Sequence, residues 1–428
     1  EIYIARNRIL DMGLNGIGVV GFFNLDDADE FISVNRLTIT GNEIRRCLHR
    51  PLADTSPEMI DSMGYGGIAL ADVEYLVVRN NVIEDNGPSQ LEPICGVFVL
   101  HGEGIDISGN RILNNGARTA STDSAKAGRR GGINIVYAVA PTDFIPIAGM
   151  EDELPRQNGV PAAKVHDNIV SVPLGQALSL TALGPVSVVG NQFTSRGVVV
   201  DLTSSSFWAA TVAIFNLGLS NELGLQLLSF SGARSSGKFG FSNTSAVKGL
   251  EITDDEVVLA QEGLDDLLVG QYLANGNVLF SNNQCTLDLL EPGVGLSLTS
   301  ILIVTLDDVG FHNNQCDSSL LDDFVLSQAI LFGFFSVRAS DNRFKETLLR
   351  ALFSAVTMGV MNTTTDNQGT HCFVVLGVLP KAQYPWFVVD QRNTELLDGL
   401  IRSVTDDFSW CNRLKGLLGG GSGGEPID

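Results

Sequence analysis

The sequence predicts an all-β solenoid, a chain wound into stacked coils, and three observations predict it. A phrase of alternating apolar and polar residues that ends near an Asn recurs along the chain, as in "GIDISGNRIL" at Gly104–Leu113. The residues before each Asn are mostly Val, Ile, Leu, Thr and Phe, with the period of two that is typical of strands. Helical periodicity is almost absent, and recurrence at this length is the mark of a solenoid.

The recurring Asn residues mark the predicted coils. Clear copies of the phrase contain Asn7, Asn42, Asn81, Asn110, Asn168 and Asn191, and more degenerate copies contain Asn221, Asn243, Asn283, Asn314, Asn342 and Asn367. The longest interval, from Asn110 to Asn168, is interpreted as two coils, with "GGINIVYA" (Gly131–Ala138) as the missing strand. Asn suits a tight corner because its side chain tolerates left-handed backbone and hydrogen-bonds nearby amides. We therefore predict an Asn ladder between coils.

These phrases resemble the repeats of the right-handed parallel β-helix superfamily, which includes pectate lyases, polygalacturonases and many phage-tail and adhesin proteins. The resemblance runs from Ile2 to about Cys372 and implies a right-handed parallel β-helix solenoid with an Asn ladder. It is specific for the fold and nearly silent on activity, because one fold serves many functions.

Three segments follow from the rhythm of the repeats. We predict a parallel β-helix at residues 1–379, a C-terminal cap at 380–418, and a flexible linker or tail at 419–428. Within the cap, "NTELLDGLIRSV" from Asn393 is the best helix candidate, because Asn is a favoured N-cap residue. The chain begins inside a coil without Met or a signal peptide, which indicates a piece of a longer product.

Charge bounds the partners. The net charge of the 428 residues is −22, and residues 251–330 hold 14 acidic side chains with no Lys or Arg. Nucleic acid and polyanionic glycans would be repelled there. Twelve of the 27 basic residues lie in the first 130, so a polyanion would bind the N-terminal half. No apolar run reaches the roughly 18 residues that span a membrane. The prediction is a protein without nucleic-acid partner or membrane span.

The six Cys residues show no zinc-binding spacing. Cys285 and Cys316 each follow a ladder Asn by two residues, so we expect them to stack in neighbouring coils, about 5 Å apart. That separation is within disulfide reach. Two packed thiols are the favoured alternative, since free Cys is commonly buried.

Long insertions between coils map to loops, often on one binding face. Four stand out: Arg45–Gly66, Asn86–Pro93, Asn114–Arg130 and Val139–Gly159. Three follow a ladder Asn by a few residues, so they are predicted to leave one corner and form a rim, a candidate glycan site. The candidate catalytic residues on the rim and the coil between its loops are Arg46, His49, His101, Glu103, Arg118 and Arg130.

Two chemistries suit these residues. A glycan lyase would use Arg or His to take a proton beside a uronate, and a hydrolase would place two carboxyls around the bond. The Gly-His-Gly motif of polygalacturonases and the Asp-Pro-His-Asp motif of alginate epimerases are both absent. A rim of mixed charge is also typical of solvated loops. His166 and His312 adjoin ladder positions and are interpreted as turn or stack residues.

No cofactor is predicted, with calcium as the one candidate. Oxygen ligands for calcium are available at Thr253–Glu256, Leu306–Asp308 and Leu321–Asp323. These segments lack the glycine-aspartate nonapeptide of calcium β-rolls, so a solvated acidic edge is the favoured interpretation.

Two functional classes remain. The favoured one is a non-catalytic scaffold or binding module of a larger, bacterial, surface or multi-protein assembly, extracellular or assembly-associated rather than a cytoplasmic enzyme. Its apolar C-terminal half, as in Asp322–Ser340, would contact a protein partner or a second copy. The alternative is a polysaccharide lyase or glycoside hydrolase that acts through the N-terminal rim. The three Trp residues lie outside the rim, which disfavours neutral glycans there.

Overall fold

The computed structural model describes residues 1–19, 34–49, 65–87, 94–116, 131–146, 153–157, 160–196, 209–218, 250–253, 256–259, 276–288, 297–319, 325–346, 351–359, 361–369, 373–374 and 387–391. These residues form strands and no helix, and three long parallel sheets run side by side through them. The predicted parallel β-solenoid is therefore confirmed.

Each coil contributes one strand to each sheet in turn. The first sheet contains β1 (Ile2–Ala5), β5 (Leu37–Thr40), β8 (Val77–Arg79), β11 (Ile105–Ser108), β16 (Ala163–His166), β19 (Val186–Val189), β24 (Val278–Ser281), β27 (Asp308–His312), β30 (Ser336–Ser340), β33 (Met361–Thr365) and β35 (Phe387–Gln391). The second contains β2 (Arg8–Leu10), β6 (Glu43–Arg45), β9 (Val82–Glu84), β12 (Arg111–Leu113), β17 (Ile169–Val172), β20 (Gln192–Ser195), β25 (Gln284–Asp288), β28 (Gln315–Ser319) and β31 (Arg343–Glu346).

The third sheet holds the longest strands. It contains β3 (Ile17–Val19), β4 (Val34–Asn35), β7 (Tyr65–Glu74), β10 (Ile94–Glu103), β13 (Gly131–Val139), β18 (Gln176–Leu183), β21 (Ala209–Asn216), β26 (Ser297–Thr305), β29 (Val325–Gly333), β32 (Ala351–Met358) and β34 (Phe373–Val374). Two antiparallel hairpins lie outside the sheets: β14 (Thr142–Pro146) with β15 (Glu153–Gln157), and β22 (Leu250–Thr253) with β23 (Glu256–Leu259).

The first corner, between the first and second sheets, carries the predicted ladder. In a typical rung, the backbone N–H and the Nδ2 of Asn168 both donate to Oδ1 of Asn191, each at 3.0 Å. Nδ2 of Asn168 also donates to the carbonyl of Ile107, at 2.8 Å. The ladder runs through Asn7, Asn42, Asn81, Asn110, Asn168, Asn191, Asn283, Asn314, Asn342 and Asn367.

The left-handed backbone at this corner belongs to the residue before each ladder Asn, not to the Asn itself. Positive φ angles occur at Arg6, Gly41, Asn80, Gly109, Asp167, Gly190, Asn282, Asn313, Asp341 and Asp366. Nine of these ten are Gly, Asn or Asp, the residue types that enter this region most readily. The corner signal is therefore a pair of residues, a left-handed one followed by a buried Asn.

Two predicted intervals were wrong. Asn191 bonds directly to Asn283, 92 residues later, so Asn221 and Asn243 have no place in the ladder; both lie outside the described residues. Ser precedes each of them, and Ser does not favour left-handed backbone. Asn110 likewise bonds directly to Asn168, so the 58 residues between them form one coil. The coil is long because the β14–β15 hairpin follows β13.

The interior is filled by in-register stacks of like side chains. One stack on the second sheet runs through Ile44, Ile83, Ile112, Val170, Phe193, Cys285, Cys316 and Phe344. Cys285 lies opposite Cys316, as expected, and both are buried free thiols, the favoured alternative. Burial raises the pKa of each thiol, so both stay protonated. Phe280 and Phe311 stack beside them, with ring centroids 5.3 Å apart.

Parts of the third sheet are buried on both faces. Ile301 and Ile303 point into the solenoid core, whereas Leu302 and Ile330 belong to a separate buried cluster on the outer face. Another outer cluster contains Cys95 and Phe98. Strands buried on both faces read as continuous apolar runs. Much of the apolar excess predicted for a partner is thus already buried within this chain.

The first sheet continues beyond residue 379. Strand β35 pairs in parallel with β33, so one strand of the solenoid lies in the segment predicted to be a cap. The helix candidate from Asn393 lies outside the described residues. The boundaries of the three segments stay predictions.

Candidate functional site

The predicted site residues lie at two separate places in the fold. Arg46 and His49 follow β6 at the second corner, between the second and third sheets, whereas His101 and Glu103 lie at the far end of β10. Because β10 is ten residues long, the two places are on the order of 20 Å apart. Three of the predicted loops do leave the second corner, between β6 and β7, β9 and β10, and β12 and β13. Two further candidates, Arg118 and Arg130, lie outside the described residues.

Arg46 is part of the corner itself. Its Nε and Nη2 donate to the two carboxylate oxygens of Asp11 in the preceding coil, at 2.8 and 3.0 Å. These hydrogen bonds lower the pKa of Asp11 and raise that of Arg46. Nε2 of His49 lies 3.9 Å from the same carboxylate. Both residues of the Arg46–Asp11 pair have positive φ, so the pair joins equivalent corners of two coils.

The outer face of the second sheet pairs its basic and acidic residues. Arg8 contacts Glu43 at 3.1 Å, and Arg45 contacts Glu84 at 3.1 Å. Arg111 donates to the other oxygen of Glu84 at 2.8 Å. Each of these three Arg side chains contacts the carboxylate of Glu43 or Glu84. None of them is therefore left unpaired for a polyanion.

The two other His residues adjoin the ladder, as interpreted from the sequence. His312 lies at the end of β27, and its Nδ1 is 3.0 Å from Oγ of Ser340 in the next coil. Burial lowers the pKa of His312. His166, at the end of β16, lies between the carboxylates of Asp167 and Asp106, at 2.9 and 3.4 Å.

A β-bulge at the end of three third-sheet strands creates a different arrangement. Ile135 of β13 pairs with Leu180, but Ala138 pairs with Ala182, so β13 has one extra residue there. Strands β7 and β10 stay in register with β13 and share the extra residue. Bulges re-aim side chains and are common beside active sites. Here the bulge aligns Asp72, His101 and Tyr137 in one row on the outer face.

The row is tightly connected. Nδ1 of His101 lies 2.6 Å from Oδ1 of Asp72, and the ring of His101 stacks on Tyr137 with centroids 5.9 Å apart. The Asp72 side chain is 7% exposed and that of His101 is 17% exposed. A carboxylate on Nδ1 fixes the tautomer and the orientation of an imidazole. Burial raises the pKa of Tyr137, which keeps its hydroxyl protonated.

A second row lies beside the first. Glu74 faces Glu103 on the neighbouring strand, so their backbones are about 4.8 Å apart. Burial raises the pKa of Glu103, and the nearby charge of Glu74 raises it further. Nδ2 of Asn35 donates a hydrogen bond to Glu74. We call Asp72, Glu74, His101, Glu103 and Tyr137 the bulge patch.

The bulge patch combines groups that suit proton transfer. A partly buried carboxyl with a raised pKa is a competent acid, and a neighbouring ionised carboxylate is a base or an electrostatic stabiliser. In the part of the chain described here, no group of three or more His, Cys, Asp or Glu side chains is placed to hold a metal ion. Of the predicted calcium segments, Asp307 accepts a hydrogen bond from the amide of Gly276, and Asp308 one from Ser336.

Sequence reasoning found His101 and Glu103 but missed Asp72, Glu74 and Tyr137. A signal was present. Asp72 precedes His101 by 29 residues, the same interval that separates Asn81 from Asn110 in the ladder. Shifting "ADVEY" by one ladder interval places both acidic residues opposite His101 and Glu103. The bulge that brings Tyr137 into the row has no comparable signal.

The fold and the bulge patch define this protein as a parallel β-solenoid with a cluster of ionisable residues on its outer face. Comparison with protein-family models, curated proteins and solved structures found no match. The described residues include no helix with the length and hydropathy needed to cross a membrane.

Proposed function

We propose that the protein is a rigid β-solenoid scaffold and binding module that works within a larger surface or multi-protein assembly. The observation that carries this proposal is the ladder, in which ten Asn residues, nine of them buried, join consecutive coils. Each rung ties a coil to both neighbours, so the coils hold one register along the axis. At about 4.8 Å per strand, the eleven strands of the first sheet give a rod of about 50 Å.

A rod of this kind presents loops and outer faces at set positions. Three of the predicted loops leave the second corner of successive coils, which supports binding along one edge. The resemblance to the pectate-lyase-like superfamily, with its adhesin and phage-tail members, fits such a role. Most apolar residues described on the third sheet are buried within the chain, so an assembly contact would use other surfaces.

A second candidate is an enzyme, a polysaccharide lyase or glycoside hydrolase, and the bulge patch is the observation that favours it. Glu74 and Glu103 are direct neighbours across two strands, and the pKa of Glu103 is raised by burial and by the nearby charge of Glu74. In a hydrolase, Glu103 would protonate the glycosidic oxygen, and Glu74 would act on the sugar carbon or on a water molecule. Asp72 would hold His101 in position beside them.

One experiment separates the two candidates. Neutral, acidic and amine-bearing polysaccharides are incubated with the protein, with and without calcium, and new reducing ends and double-bond absorbance are measured. The comparison set is Glu103→Gln, with Asp288→Asn as a control that removes the same charge from the distant β25. Turnover that Glu103→Gln abolishes and Asp288→Asn retains would establish the enzyme and overturn the non-catalytic proposal. Absence of turnover on every substrate supports the scaffold.

A further inference from the structure

The bulge patch carries more negative charge than the described residues around it neutralise. It holds three carboxyl groups, those of Asp72, Glu74 and Glu103, and no described Lys or Arg pairs with any of them. The carboxylate of Asp72 is paired with His101, but no described residue donates a hydrogen bond to the carboxylate of Glu103. Its neighbours in charge are Glu74, Asp72 and His101. A ligand that brings positive charge would therefore remove a repulsion already present in the site.

An aromatic ring borders these carboxyls. One face of the Tyr137 ring stacks on His101. On the other side of β13, the bulge shifts the pairing with β18, so no residue of β18 is paired with Tyr137. The side chain is partly exposed. A ring face beside carboxylates attracts cations, and it also packs against the flat C–H surface of a small ring.

These features select among ligand classes. The net charge of −22 and the three carboxyls would repel a polyuronate. A neutral sugar would leave the Glu74–Glu103 repulsion in place. The described residues form no metal site at the patch. A ligand with an organic ammonium group next to a flat ring fits both features. The ammonium group would offset the charge of the carboxylates, and the ring would pack on Tyr137.

The dimensions match one sugar unit. Side chains two residues apart on a strand are about 6.6 Å apart, and those on neighbouring strands are about 4.8 Å apart. The bulge patch spans three neighbouring strands and two successive outward-facing positions along a strand, about the footprint of a pyranose ring. We propose that it binds an amine-bearing sugar, with the ammonium group between Glu74 and Glu103 and the sugar ring against Tyr137. This inference rests on the proposed binding function and names the ligand class of the module.

The test is a calorimetric titration with a tetramer of β-1,4-linked glucosamine, at a pH where its amines are protonated. The expected result is saturable binding that weakens about tenfold or more in Glu103→Gln, because a charge-assisted contact is lost. Tyr137→Leu should weaken binding about fivefold, because the sugar ring loses the aromatic face against which it packs. Asp288→Asn, which removes one charge far from the patch, should bind like the wild type.

Three comparison ligands sharpen the assignment. The fully acetylated tetramer and a galacturonate tetramer should not bind, since one lacks the cation and the other is anionic. Tetralysine tests whether charge alone is sufficient. Equal affinity for tetralysine, or glucosamine binding that Glu103→Gln leaves unchanged, would overturn the proposal. The unfolding midpoint of every variant checks that a loss of binding is not a loss of folding.

The outcome is separable from that of the scaffold proposal. Failure to bind the glucosamine tetramer would remove this ligand class and leave the rod and its assembly role as they stand. Cleavage of the tetramer, by contrast, would support the sugar assignment while overturning the non-catalytic proposal.

Discussion

The first and second corners of the solenoid connect successive strands in different ways. At the first corner, every pair of strands from β1–β2 to β30–β31 is joined by two residues, the left-handed one and the ladder Asn. At the second corner, the length of the connection varies. It is three residues between β17 and β18, whereas a long loop joins β6 and β7. A short second ladder exists there, in which Cys47 and Asn86 donate to the Asn of the next coil.

The comparison teaches where this fold tolerates change. The first corner has the same length in every coil because each Asn within the ladder bonds both neighbouring coils. A change in one coil therefore disturbs three. Among the described residues, the second corner has this coupling at Cys47, Asn86 and Asn115, and long loops leave the corner. Loops are the usual place for binding residues. The regular corner thus maintains the rod, and the irregular corner is free to vary.

An insertion is the strongest way to test this difference. A Gly-Ser insertion between Gly190 and Asn191 should cost about 5 kcal/mol, because the ladder bonds on both sides are displaced. The same insertion after Arg196, at the second corner of the same coil, should cost about 0.5 kcal/mol, since loop closure depends weakly on length. Urea denaturation followed by circular dichroism measures both. Equal losses would show that the two corners do not differ in tolerance.

Replacing a single ladder residue should have the next largest effect. Asn283→Ala should lower stability by about 3–5 kcal/mol, because Asn191 loses its acceptor and the carbonyl of Val188 loses its donor. The matched control is Asn282→Gly, one residue earlier, where the exposed side chain precedes the ladder and φ is 56°. That change should stay within about 0.5 kcal/mol. A similar loss for both would contradict the assignment of roles within the Asn pair.

The left-handed position before the ladder can be tested without changing packing. A Cβ at Gly41 would meet only Cγ of Arg6, at 3.8 Å, so Gly41→Ala adds conformational strain alone. Because φ is +64°, we expect a loss of about 1 kcal/mol. Gly18→Ala is the control, since its Cβ would have similar room and the backbone is extended. The difference in thermal midpoint between the two variants measures the cost.

The second ladder should be extendable at its N-terminal end. Cys47 occupies the ladder position there, and its Sγ lies 3.9 Å from the carbonyl of Ile9. The amide of Asn86 donates to the equivalent carbonyl of Ile44 one coil later. Cys47→Asn should therefore gain about 1 kcal/mol of stability. Cys47→Ser, which is too short to reach that carbonyl, should not gain; an equal rise in midpoint would refute the ladder explanation.

The raised pKa of Glu103 predicts a small effect of pH on stability at the bulge patch. The pKa of Glu103 is higher in the folded protein than in the unfolded chain. Stability therefore falls as the pH rises from the unfolded pKa to the folded pKa, and it stays lower at every pH above the folded pKa. Glu103→Gln removes this cost, so it should stabilise the protein at neutral pH and be neutral in acid, below about pH 4. Glu43→Gln, which breaks ion pairs with Arg8 and Arg45, should show no such gain.

The sequence by itself determined the stacking of the chain. Alternating apolar residues followed by Asn predicted the strands, the corner and the ladder, because all three depend on contacts that recur with each repeat. The stacking of Cys285 on Cys316 followed from the same rhythm. Asn221 and Asn243 were wrongly placed in the ladder because Asn was counted without the Gly, Asn or Asp that usually precedes it. The interval from Asn110 to Asn168 was wrongly divided into two coils.

The tertiary structure alone decided which coils are neighbours and which side chains meet. Asn191 and Asn283 are neighbours in the ladder although 92 residues separate them, and the repeat pattern does not predict so long an interval. The row of Asp72, His101 and Tyr137 depends on one extra residue in three adjacent strands. A period of two indicates which face a side chain takes, but a bulge reverses that assignment, and only the register between strands reveals it.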